Sequence, residues 1–141
     1  MIIPDKLKWS RWGLGLLAIG LMAMVYIFQR TWLWLPPSDN QFQYLPFILN
    51  RFCRLLINDT LCIILFLAIF NSRKELMLAS AVFLLELLIV LPFYMVAKLT
   101  LEGDSEISAP LLSFIHRLIV NPLLMMVLLA GLLYQKYRTE K

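Results

Sequence analysis

Four apolar blocks, each close to the length of a membrane crossing, constrain this chain more than any other feature. About 20 residues at roughly 1.5 Å rise per residue span a hydrocarbon core roughly 30 Å thick. The blocks cover about residues 12–28, 47–70, 76–97 and 110–134. Little of the 141 residues remains outside them, which excludes an independent soluble domain. Within hydrocarbon each backbone N–H and C=O needs a partner in the protein, so uninterrupted apolar blocks read as helices. The expected fold is all-α: a polytopic membrane protein, one four-transmembrane-helix bundle over residues 1–141. Composition agrees, with 61% hydrophobic residues, 16% charged residues and a mean hydropathy of +0.78. Soluble domains lie nearer half apolar and a quarter charged.

The basic residues set an orientation. Lys6, Lys8 and Arg11 precede the first block, Arg73 and Lys74 lie in the turn between the second and third, and Lys136, Arg138 and Lys141 close the chain. The opposite connections hold Arg30 and Lys98, together with the acidic segment Glu102, Asp104 and Glu106. The positive-inside rule then predicts both termini in the cytoplasm, which requires an even number of spans. A basic leader and apolar run also describe a secretory signal. Gln29, Arg30 and a Trp-rich stretch follow it instead of a small-residue cleavage site, so the first block reads as a retained span. Trp9, Trp12, Trp32 and Trp34 bracket that span where indoles favour the headgroup boundary, and Trp32–Leu35 is expected in the interface. The net charge of +4 is distributed at membrane boundaries, where it suits anionic lipid and not nucleic acid.

Ionisable groups within a span are costly, on the order of 2.5–3.5 kcal/mol each at the centre, and so mark candidate sites. The second block carries Arg51, Arg54, Asn58 and Asp59; the third carries Glu86; the last carries His116, Arg117 and Asn121. Arg54 and Arg117 each have a carboxamide four residues on, which places the pair on one helical face. Both arginines are expected roughly 10 Å below the start of their spans, with Asn58, Asp59, Glu86 and Asn121 near the midplane. A basic, hydrogen-bonding cluster in the outer half is the result, with Asp59 and Glu86 as counter-ions. Its structural alternative is arginines reaching the headgroups and asparagines bridging helices. Residues 54–58 and 117–121 also read as one pattern repeated at an offset of 63, which corresponds to two parallel helical hairpins.

Cofactor chemistry is not indicated. Cys53 and Cys62 are nine apart on one helix, facing opposite ways, and no second His or Cys accompanies His116 at metal-ligand spacing. No Gly-rich phosphate loop is present.

The arginine motifs resemble those of the small membrane proteins associated with exosortase systems in Bacteroidetes, specifically the exosortase F-associated type and its sister groups. In that pattern the second span carries Arg-x-Leu-Leu-Asn. The last carries Arg-x-x-x-Gln-Pro-Leu, an apolar run and a Tyr-Gln-Lys tail. Here the segments read Arg54-Leu55-Leu56-Ile57-Asn58 and Arg117-Leu118-Ile119-Val120-Asn121-Pro122-Leu123, with Tyr134-Gln135-Lys136 after them. Asn121 replaces Gln and Ile57 replaces Leu, and the likeness runs from residue 47 onward. The resemblance implies an inner-membrane, non-catalytic accessory protein of a sorting system in which a membrane-embedded exosortase cleaves C-terminal signals. Its partners would be that exosortase and membrane lipid.

Two other classes remain open at this point. A thiol enzyme would use Cys53 with His116 and Arg54 or Arg117, since a nucleophilic cysteine needs a base or cation beside it. A small proton-coupled transporter would use Glu86, although buried arginines would repel cationic substrates.

Overall fold

The computed structural model describes residues 8–28, 44–101 and 109–139, and among them every regular element is helical. Trp32–Leu35, the acidic loop and Lys6 lie outside the described residues. The helices are α1 (Lys8–Phe28), α2 (Leu45–Phe70), α3 (Arg73–Leu85), α4 (Leu91–Leu101), α5 (Pro110–Val120) and α6 (Leu123–Thr139). One π-helical segment, Glu86–Val90, joins α3 to α4. Among the described residues, three helices are long and apolar enough to cross a membrane: Ser10–Phe28, Leu45–Phe70 and Arg73–Leu101. A fourth crossing results if the bent pair α5–α6 forms one span.

Local chemistry explains each break. Asn71, at φ 48° and ψ 36°, ends α2 in the left-handed conformation that asparagine tolerates better than most residues. Ser72 is extended and starts α3, where Leu76 N–H donates to the Ser72 carbonyl at 3.2 Å. Pro92 can donate no hydrogen bond, and its ring would collide with the carbonyl four residues back in a regular helix. The π-helical turn before it widens the ladder, with Leu91 N–H reaching the Glu86 carbonyl five residues earlier.

The last block is not the continuous helix expected for 110–134. Asn121 is extended, at φ −109° and ψ 137°, and α5 and α6 meet at a 64° bend. The cause is Pro122, which disfavours the helical conformation in the residue before it. The third span is also longer than expected. It continues past Ala97 to Leu101, so Lys98 belongs to a helix and is fully buried, instead of lying in a connection.

Packing forms two apolar layers along α2. Ala18, Cys62, Leu65, Phe66, Ala79, Met125 and Leu129 join α1, α2, α3 and α6 toward one end. Leu55, Leu91, Tyr94, Met95 and Ile119 join α2, α4 and α5 toward the other. Lipid is as apolar as leucine, so these contacts rest on close packing and not on escape from water. Gly15 shows the requirement: a Cβ there would stand 3.6 Å from Ala68 Cβ, so α1 approaches α2 through small residues. The outward faces, including Leu16, Leu17, Leu88 and Val127, are exposed and apolar, as lipid contact demands.

Candidate functional site

The polar residues of the spans separate into three neighbouring groups. The first is a cavity of about 460 Å³ between α1, α2 and the α5–α6 break. Arg54, Asn58 and Asn121 supply its polar wall; Ile19, Met22 and Met126 are among its apolar lining. Asn58 follows Arg54 by one helical turn, so both face the same way. Asn121 joins them from the α5–α6 break, where Pro122 interrupts the helix. Directly after it, α6 begins, and the first N–H groups of a helix lack intrahelical acceptors. A guanidinium, two carboxamides and a helix N-terminus together favour an anionic group.

The second group lies on α2, α4 and α5. Arg51 places its guanidinium carbon 3.8 Å from the Phe47 ring centre, within reach of the Tyr94 side chain. The Tyr94 hydroxyl is 3.0 Å from His116 Nδ1. An arginine can only donate, so toward Arg51 the hydroxyl is an acceptor and its own proton is available to Nδ1. Arg51, Arg54, Lys98 and Arg117 all stand close enough to act electrostatically on His116. Positive charge is thus concentrated around His116, with Lys98 among its sources.

The third group is an acid pair between the two apolar layers. Asp59 is 1% exposed and Glu86 2%, and their carboxyl groups lie close enough to interact directly. Two carboxylates have no donor between them, so a hydrogen bond in such a pair would need a proton on one of them. Asp59 Oδ2 and Glu86 Oε1 are buried without a partner among the described residues. The counter-ion expectation therefore takes a different form: each acid turns to the other acid.

All eight sequence-derived positions belong to these groups, but not in the expected arrangement. Arg117 is exposed in the last turn of α5, not deep in the bundle. Asn121 still donates its N–H to the Arg117 carbonyl at 3.0 Å, but it is itself extended, so the helix ends at the pair instead of running through it. Residues missed by the sequence reading are Tyr94 and Lys98, both buried. Tyr94 and Lys98 are four apart and share a helical face, a spacing signal that the early end assigned to the third span concealed.

Cys53 is half-buried and Cys62 buried, and both are free thiols. Among the described residues, no group of three or more His, Cys, Asp or Glu side chains could hold a metal ion. No protein family, curated protein or solved structure matches the chain.

Proposed function

We propose that this protein is a four-span inner-membrane component of an exosortase protein-sorting system, with both termini cytoplasmic and the last span broken at Asn121–Pro122. In this reading it is a non-catalytic partner of the membrane-embedded peptidase. The observation that carries the proposal is the meeting of Arg54, Asn58 and Asn121 at one cavity. These are residues of the two motifs on which the resemblance rests, brought together from segments far apart in the chain. Their combined chemistry suits an anionic group of the partner.

Affinity capture of a tagged full-length chain at native expression tests this reading. An exosortase is expected in the mild-detergent eluate, with recovery reduced by Arg54→Ala. Absence of any membrane peptidase from the eluate overturns the reading.

The Asp59–Glu86 pair favours a second reading, proton-coupled transport, because two buried acids facing each other from different helices are the groups such a carrier needs to take up and release a proton. Its test is proton-driven solute uptake in reconstituted vesicles. Uptake abolished by Glu86→Gln supports it, and vesicles that accumulate nothing under an imposed proton gradient rule it out.

A further inference from the structure

A second cavity, of about 450 Å³, occupies the groove between α1 and α6 against α2. Its polar mouth is formed by Arg11 and Lys136, and Gly15, Ile19, Leu65 and Leu133 line its length. From Arg11 to Ile19 the groove advances about 12 Å along α1, the depth of a single leaflet of a roughly 30 Å core. Trp12 stands beside the mouth, at the level where indoles prefer the headgroup boundary.

We propose that this cavity binds one acyl chain of an acidic phospholipid, whose phosphate is held at the mouth by Arg11 and Lys136. The charge at this end of the bundle is complementary. Arg73, Lys74 and Arg138 are exposed there, alongside the two cations of the mouth. Glu75 shares a neighbouring recess with Lys136, and Ser72 also acts on its carboxylate. Arg11 binds the α2 carbonyls through Nε and Nη2, which are part of a guanidinium with five N–H donors. Arginine can therefore hold the helix end and present charge to a phosphate.

The size of the cavity favours a lipid chain over a helix from another protein. A helix about 10–12 Å across with a 5.4 Å pitch fills roughly 500 Å³ per turn, so the cavity would accept a single turn. Flexible acyl carbons fill such a narrow apolar track without that constraint, and basic pockets between helices at the membrane surface suit acidic headgroups.

Native mass spectrometry of the full-length protein in nonionic detergent tests the proposal, with phosphatidylglycerol and phosphatidylcholine of identical chains. Phosphatidylglycerol is expected to bind about fivefold or more tightly than phosphatidylcholine. Lys136→Gln should weaken it about fivefold, one cation's attraction to an anionic headgroup, and Lys136→Arg should restore it. Leu133→Trp, which fills the cavity, should abolish binding, while Leu111→Trp on the exposed face of α5 should leave it unchanged. Equal binding of the two lipids overturns the proposal. So does wild-type binding in both Lys136→Gln and Leu133→Trp, or full competition by inorganic phosphate alone.

Discussion

Arg11 closes the end of a helix 57 residues away: its Nε and Nη2 donate to the Ala68 carbonyl at 3.2 and 3.0 Å, and Nη2 reaches Ile69 at 3.4 Å. The last four carbonyls of a helix lack intrahelical donors, and in a membrane little water is present to satisfy them. Arg11 also carries positive charge to the negative end of the α2 dipole. Arg11→Ala is expected to destabilise the bundle by about 1–2 kcal/mol, the low end for charge-assisted hydrogen bonds because the site is partly exposed. Arg11→Lys should recover only part of this, because an ammonium lacks the planar, pre-organised pair of donors that Nε and Nη2 present to the Ala68 carbonyl. Thermal unfolding of detergent-purified variants measures both.

Close approach of α1 to α2 should depend on the size of residue 15. Gly15→Ala is expected to be neutral within about 0.5 kcal/mol, since its Cβ would make ordinary contact with Ala68. Gly15→Leu should separate the helices and lower the melting temperature by several degrees. Equal stability of the two variants would show that α1 does not pack here.

The Tyr94 hydroxyl connects α4 to α5 through His116 and to α2 through Arg51. Tyr94→Phe keeps the ring and removes the bridge, leaving His116 Nδ1 without this donor. A loss of about 1–2 kcal/mol is expected. In a double-mutant cycle with His116→Ala the two effects should be non-additive, as for any directly bonded pair. Strict additivity would contradict the contact.

For the acid pair, Glu86→Leu should cost about 1–3 kcal/mol by stranding the buried Asp59 carboxyl. The double variant Asp59→Leu/Glu86→Leu should be markedly less destabilised than the sum of the single changes, since apolar replacement of both buried partners removes the desolvation cost with the pair. Unfolding midpoints of the three variants provide the comparison.

The proposed orientation is open to thiol labelling in a background with Cys53 and Cys62 replaced by Ala. Leu101→Cys should react with a membrane-impermeant reagent in spheroplasts. Ser10→Cys and Thr139→Cys should react only after permeabilisation. The reverse pattern would invert the protein in the membrane.

Most of the membrane helices were legible in the sequence because hydrophobic length is a one-dimensional property. The second span, expected at 47–70, is observed as Leu45–Phe70. The last span was less legible because an apolar run does not report whether proline bends the backbone. Pro122 was visible, but the extended Asn121 and the 64° bend depend on how α5 and α6 pack. The site was legible as a set of residue types, while its partners were not. Spacing along one helix says which side chains share a face, and nothing about which face a second helix presents to them.

The four apolar blocks and their buried polar residues thus determined that the chain is helical, enters the membrane, and concentrates unusual chemistry on its second, third and last segments. Each of those properties follows from hydropathy and residue type along the chain. Only the tertiary structure decided that Asp59 meets Glu86, that Tyr94 holds His116, and that Lys98 is enclosed. The physical reason is that a buried polar group is satisfied by whichever neighbour packing brings within about 3 Å, and that neighbour usually lies on another helix.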